Sequence, residues 1–135
     1  MTQIERCGNL NAAVSLWLEQ EAAHGGLSQG MIYARTWPEM QEVAETCRDL
    51  LGPHGGRLDD HAWCFLMPSG ARLRFNCHPE EEMACGHGGY RLTMLIFHNM
   101  PSWTNHRVPA MLASMVRNAD GIRSRIVTVG ELPAS

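Results

Sequence analysis

Short, continuous apolar runs constrain the fold of this chain most. Two of them, Gly30–Ala34 and Leu92–Phe97, are too short for a helix of ordinary length and show no strict alternation with polar residues. Such runs are typical of buried strands. A further strand is predicted over residues 125–129, so the core of the fold should be a sheet.

Stretches with helical spacing lie between these runs. Residues 10–23 carry apolar side chains every three or four positions, and a second helix is predicted from the N-cap Thr36 to about Leu51. A third helix is predicted over residues 105–118. Because strands and helices alternate, we predict one α/β domain spanning residues 1–135, with a mainly parallel sheet and flanking helices.

One β-hairpin is predicted in the middle of the chain. Residues 61–67 and 71–75 have strand character, and Pro68–Gly70 supplies a tight turn between them. The second strand alternates polar and apolar residues, so Arg72 and Arg74 should share one face of the sheet.

Composition excludes several classes of protein. The chain has eleven arginines and no lysine, so no lysine is present for Schiff-base or general-base chemistry. A net charge of −3 gives no bulk electrostatic reason for non-specific nucleic-acid binding. Five irregularly spaced cysteines argue against a disulfide framework, and no apolar run approaches the ~20 residues of a membrane span. We therefore expect a soluble cytoplasmic protein without a membrane partner.

Four fragments of the sequence occur together in a specific order. They are Tyr33–Met40, His61-x-Trp63, Pro68–Phe75 and Gly89–Phe97. In this order and spacing they resemble the ATPase core of the phage terminase large subunit, the DNA-packaging motor. The resemblance implies a truncated P-loop ATPase (RecA/ASCE-like) core with the hairpin added to the parallel sheet.

The resemblance also implies where the nucleotide-site residues should lie, and the residue types at those positions differ from the family's. The phosphate loop would place Leu10 where the lysine belongs and Asn11 where the Ser/Thr belongs. The acidic pair that holds Mg²⁺ and activates water would fall on His98 and Asn99, which cannot together replace a hard-cation ligand and a carboxylate base. We predict a pseudo-ATPase with no catalytic residue and no cofactor. Because they end a strand, His98 and Asn99 could still line a vestigial pocket.

A scaffold that keeps its core pattern but lacks these groups suggests selection for a binding surface. We expect a phage- or prophage-encoded inhibitor, similar to anti-CRISPR proteins, that binds a host defence protein or a nucleoprotein complex. The candidate surface comprises Arg72, Arg74 and the acidic cluster Glu80, Glu81 and Glu82. The alternative is an accessory role in phage DNA packaging, with terminase or portal components as partners; self-association into a homodimer is a further option.

Two other sets of side chains allow more than one interpretation. Cys64, Cys77, Cys85 and His87 could form a zinc site if the hairpin brought the first two together, although their spacing matches no common zinc motif. The second set is aromatic and consists of Trp37, Trp63 and Trp103. These side chains could form an exposed recognition surface or could simply pack in the core.

Overall fold

The computed structural model describes residues 4–59, 63–77, 92–104, 109 and 121–130. Within these ranges the strands are β1 (Ile4–Cys7), β2 (Gln29–Ala34), β3 (Arg57–Asp59), β4 (Cys64–Leu66), β5 (Arg72–Cys77), β6 (Met94–Phe97) and β7 (Arg125–Val129). The α-helices of the described part are α1 (Leu10–His24) and α2 (Trp37–Leu51), and short 3₁₀ turns occupy Gly25–Leu27, Gly52–His54 and Met100–Ser102. Apart from residue 109, the predicted helix over residues 105–118 lies outside the described residues. None of the described helices is both long and apolar enough to cross a membrane.

All seven described strands join one sheet in the order β1-β7-β6-β2-β5-β4-β3. The first five strands in this order are parallel to one another. At the other end of the sheet, β4 pairs antiparallel with β5, and β3 pairs antiparallel with β4. The predicted α/β fold with a mainly parallel sheet and one hairpin is confirmed. The edge strands β1 and β3 were not predicted from the sequence.

The sheet is covered on both faces because side chains alternate along each strand. On the first face, α1 and α2 pack against β-strand residues such as Ile32, Leu73 and Ile96. On the second face, a separate cluster contains Met31, Tyr33, Leu92, Leu95, Phe97, Met100, Trp103 and Ile126. Both central strands β2 and β6 are therefore buried on two sides, which explains their continuous apolar sequences.

Both helices begin at side-chain caps. The Oδ1 atom of Asn9 accepts a hydrogen bond from the backbone N of Ala12 at 2.8 Å, and the hydroxyl of Thr36 accepts one from the backbone N of Glu39 at 3.4 Å. These bonds satisfy amides that have no partner within the helix. The predicted N-cap of the second helix is confirmed, together with its end at Leu51.

The hairpin forms as predicted, with a shorter first strand. The backbone N of Met67 donates to the carbonyl of Ala71 at 2.9 Å, and Gly70, at φ 93°, takes a conformation that side chains disfavour. β4 covers only Cys64–Leu66, and the predicted strand residue His61 lies outside the described residues.

Polar groups at the amino ends of β2 and β6 are fully paired. The Oε1 atom of Gln20 accepts hydrogen bonds from the hydroxyls of Ser28 and Thr93, each at 2.7 Å. The Thr93 hydroxyl also accepts from the backbone N of Gln29 at 2.9 Å. This buried network joins α1 to both central strands and leaves no evident group for a ligand.

Candidate functional site at the carboxyl edge of the sheet

The carboxyl ends of the parallel strands meet at one edge of the sheet. There the backbone N of His98 donates to the carbonyl of Tyr33 at 2.8 Å, and that of Gly130 donates to the carbonyl of Cys7 at 2.9 Å. These bonds hold the residues that follow β6 and β7 beside the ends of β2 and β1. Open α/β sheets bind their ligands at this edge.

The connection between β1 and α1 contains only Gly8 and Asn9. Leu10, the first residue of α1, is 8% exposed and belongs to the core, whereas Asn11 is exposed. Since the Asn9 side chain bonds the Ala12 amide, it occupies the end of the helix that would face an incoming anion.

The end of β6 is fixed by its backbone. The carbonyl of His98 accepts a hydrogen bond from the indole Nε1 of Trp103 at 2.9 Å, and Asn99 adopts a left-handed conformation with φ 52°. Burial lowers the pKa of His98, and the carboxylates of Glu39 and Glu42 oppose that shift. The imidazole is therefore neutral at pH 7.

The end of β2 contributes two residues that sequence analysis missed. Arg35 follows β2 directly, and Glu39 lies in the first turn of α2. The negative charge of the Glu39 carboxylate acts to raise the pKa of both His98 and Cys77. The Nε atom of Arg35, the Oε2 atom of Glu39 and the Nδ1 atom of His98 are all buried without a hydrogen-bond partner. Only the strand order, which puts β2 next to β6, brings Glu39 near His98, so no local sequence signal could have paired them.

The fold is similar to that of solved structures of a phage genome-packaging motor and of a phage large terminase ATPase domain. The chain is similar to a structure of the bacteriophage Phi-29 viral genome packaging motor assembly, with a TM-score of 0.61 and 11% identity over 98% of this chain and 44% of that one. The large terminase ATPase domain of Thermus phage P74-26 gives a TM-score of 0.51 and 16% identity over 98% of this chain and 60% of that one. A mutant of that domain gives a TM-score of 0.53 and 15% identity over 97% of this chain and 60% of that one.

The fold is terminase-like. This confirms the P-loop ATPase type of fold that the sequence fragments implied, and at these identities the likeness is one of fold alone. The chain spans about half the length of the solved chains, 44% and 60%. No protein-family model matches the chain, and no curated protein matches it in sequence.

P-loop ATPases hold a nucleoside triphosphate and Mg²⁺, and the carboxyl edge of this sheet differs from their pattern in three respects. In the G-x-x-x-x-G-K-[ST] pattern, six residues precede the lysine and their amides surround the phosphates, whereas two residues separate β1 from Leu10 here. The capped amide of Ala12 removes a further donor. At the end of β6, the side chains of His98 and Asn99 are an imidazole and an amide, whereas Mg²⁺ prefers carboxylate ligands.

The predicted arginine surface lies at the hairpin end of the sheet. Arg72 is exposed, and Arg74 is half-buried with its Nη1 atom donating to the side chain of Gln29 at 3.0 Å. The strand register places both arginines on the second face, in line with Leu66 and Cys64 of β4 respectively. The acidic cluster of residues 80–82, predicted to complete this surface, lies outside the described residues.

The hairpin does not bring Cys64 and Cys77 together. Cys64 is opposite Arg74, so Cys77 lies three residues further along β5 and points to the other face of the sheet. Burial raises the pKa of both thiols, which disfavours the thiolate that zinc requires. The described residues contain no group of three potential metal ligands, while Cys85 and His87 lie outside them.

Proposed function

We propose that this chain is a terminase-like protein without ATPase activity that acts by binding other components of phage DNA packaging. The observation that carries the proposal is the two-residue connection between β1 and α1, closed by the Asn9 cap. By the resemblance to the terminase family, a phosphate-binding loop would be expected at this connection.

Phosphoryl transfer depends on positioning and charge stabilisation, so the expected loss is large. A phosphate loop, its lysine and a metal-bound carboxylate together hold the nucleotide and neutralise the charge that develops in the transition state. By the resemblance to the terminase family, the positions expected to hold these groups carry Leu10, Asn11, His98 and Asn99. Replacement of all of them supports a pseudo-ATPase.

The likeness to packaging-motor structures favours packaging components as partners. A domain with the terminase fold can occupy a position that an active terminase subunit would take, or pair with one. We therefore propose the terminase large subunit or the portal protein of the same phage as the binding partner.

An inhibitor of host defence, such as an anti-CRISPR protein, is the second candidate. The inhibitor proposal relies on the same loss of catalytic groups as the packaging proposal, and the two differ only in the binding partner. The exposed Arg72 beside Arg74 favours it, because arginines on a flat sheet face suit the phosphates of a nucleoprotein complex.

Two measurements on the purified chain test these proposals. The first is ATP hydrolysis with Mg²⁺, measured with and without DNA. We expect no turnover above a buffer control, and turnover that co-elutes with the chain would overturn the pseudo-ATPase proposal.

The second is size-exclusion chromatography after mixing the chain with purified terminase, with portal, or with a host defence complex. A stable complex with terminase or portal supports the packaging role, and one with the defence complex alone would replace it by the inhibitor role.

A further inference from the structure

A cavity opens at the start of β7, beside the edge strand β1. Its volume is about 390 Å³, within the ~300–1,000 Å³ that is usual for ligand sites. In the described part of the chain, its lining consists of Glu5, Arg123, Ser124 and Arg125. β7 begins at the amino edge of the sheet, so the cavity lies away from the carboxyl edge where the nucleotide positions are expected.

Two arginines line this cavity, and the fold holds the backbone of both in place. The backbone N of Arg125 donates to the carbonyl of Thr93 at 3.0 Å. Arg123 lies between Ile122 and Ser124, which are 2% and 6% exposed, so buried residues anchor the chain on each side of it. A site that is already ordered loses less entropy when a ligand binds.

The two guanidinium groups differ in the partners that they have. Among the described residues, Arg125 donates from Nε and Nη2 to the carboxylate of Glu5, and its Nη1 group remains for another acceptor. Arg123 is exposed and forms no ion pair with a described residue, although its charge adds to the Arg125 hydrogen bond in lowering the pKa of Glu5. With two guanidinium groups and one carboxylate, the described lining has a net charge of +1.

We propose that this cavity binds a carboxylate, supplied either by a small organic acid or by an aspartate or glutamate side chain of a partner protein. A carboxylate has one negative charge, which balances the charge of the lining, and its two oxygens match the fork of a guanidinium. A phosphate monoester carries about −1.5 to −2 charges at pH 7, so the Glu5 carboxylate would repel it more strongly. The lining therefore favours a monoanion.

Glu5 limits the strength of the site as well as its selectivity. Its carboxylate occupies one edge of the Arg125 guanidinium, so an incoming carboxylate meets Arg125 only in part. Glu5 is also the main cause of the raised pKa of Arg125, and Glu19 of α1, which is not in the lining, contributes less. We therefore expect weak binding of a simple carboxylate, with a Kd on the order of 1 mM.

An NMR titration of the ¹⁵N-labelled full chain with sodium propionate tests the proposal. Propionate replaces sodium chloride at pH 7, so that the ionic strength stays constant. We expect saturable shifts of the Ser124 backbone amide and of the Arg125 Nε–H signal, with the buried Trp17 Nε1–H signal unmoved. Propionamide has nearly the same shape without the charge and should bind at least about tenfold more weakly.

Three results of this titration would overturn the proposal. They are the absence of a saturable shift with propionate, equal binding of propionamide, and tighter binding of inorganic phosphate than of propionate at the same ionic strength. The first would mean that the cavity holds no carboxylate, the second that charge has no part in binding, and the third that the site prefers a more highly charged anion.

Substitution of two exposed arginines gives a matched comparison. Arg123→Gln should weaken propionate binding about tenfold or more, whereas Arg57→Gln, on β3 at the far edge of the sheet, should leave it unchanged. Equal effects of the two would contradict the assignment, because the overall charge of the chain would then explain binding.

Glu5→Gln tests the part that the ion pair has in the site. It removes the negative charge from the lining and releases the guanidinium of Arg125, so we expect propionate to bind about tenfold more tightly. Unchanged or weaker binding would overturn the assignment of Arg125 to the site. The comparison of Arg123→Gln with Arg57→Gln decides the matter if Glu5→Gln does not fold.

The source of the carboxylate is distinguished by a blocked tripeptide with a central glutamate. Binding about tenfold or more tighter than that of propionate indicates a partner's side chain, because contacts beyond the carboxylate then add affinity, and equal or weaker binding indicates a small organic acid. The inference goes beyond the packaging role proposed above and does not depend on it. Propionate binding and complex formation with terminase or portal are measured separately, so either can fail while the other holds.

Discussion

Glu5 and Arg125 form a bidentate ion pair between the neighbouring strands β1 and β7, in which the guanidinium Nε lies 2.7 Å from a carboxylate oxygen. This hydrogen bond is the main cause of a lowered pKa for Glu5. A carboxyl group whose pKa falls on folding stabilises the folded state above its ordinary pKa of 4.5, and that contribution disappears as the pH falls through the folded pKa.

We therefore expect Glu5→Gln to lower the free energy of unfolding at pH 7 by about 0.5–1 kcal/mol, near the upper end for pairs that solvent still reaches. The difference from the unchanged chain should shrink as the pH falls below 4.5, the ordinary value of this carboxyl group. Urea unfolding between pH 3.5 and pH 7 measures it. Glu45→Gln is the control, since Glu45 pairs with Arg48 in a more exposed position, at 69% and 53% side-chain exposure. A difference that stays constant with pH would contradict the electrostatic explanation.

Gly30 in β2 packs directly against Trp17 of α1. A Cβ atom at this position would lie 2.8 Å from the ring of Trp17 and 2.9 Å from a methyl group of Leu73. We expect Gly30→Ala to destabilise the protein by about 1–3 kcal/mol, because the core there has no room for a methyl group. Gly8→Ala is the control, since nothing lies within 4 Å of its Cβ position. Equal urea midpoints for the two variants would contradict the packing argument.

At the level of a secondary-structure element, the Asn9 cap should determine how firmly α1 is held. Asn9→Ala removes the acceptor for the Ala12 amide, and we expect a loss of about 0.5–2 kcal/mol in the free energy of unfolding. Asn9→Asp keeps an acceptor and should retain most of the stability. Asn11→Ala changes an exposed side chain two positions further on and is the control. If Asn9→Ala were as stable as Asn11→Ala in urea unfolding, the cap would contribute little.

Elements with strong local signals were predicted from the sequence, and those that depend on distant partners were not. α2 has an N-cap threonine and an early proline, and its predicted bounds match the structure. β1 carries Glu5 and Arg6 within four residues and becomes a strand only by pairing with β7, more than a hundred residues away. Such an edge strand has almost no local signal, because its strand conformation depends on the neighbour.

At the scale of the whole molecule, sequence analysis singled out His98 but not Glu39, which lies near it at the carboxyl edge of the sheet. His98 was identified because it ends a buried apolar run, at a position where a carboxylate was expected. Glu39 was missed, since its electrostatic effect on His98 follows from the order of strands in the sheet. The short β1–α1 connection was also hidden, because only the observed start of α1 at Leu10 shows how few residues precede it.

The length of that connection leads to a prediction about restoring an active enzyme. A variant with all four expected residue types would be Leu10→Lys, Asn11→Thr, His98→Asp and Asn99→Glu. We expect it to show no ATP hydrolysis, because two residues after β1 cannot surround a phosphate and a lysine alone cannot position one. A second variant adds four glycine-rich residues after Gly8 to reach the length of the phosphate-loop pattern. Circular dichroism shows whether each variant folds, and a phosphate-release assay measures turnover. Turnover in the longer variant alone would locate the defect in the connection, whereas turnover in the shorter one would mean that side-chain identity, and not loop length, had abolished activity.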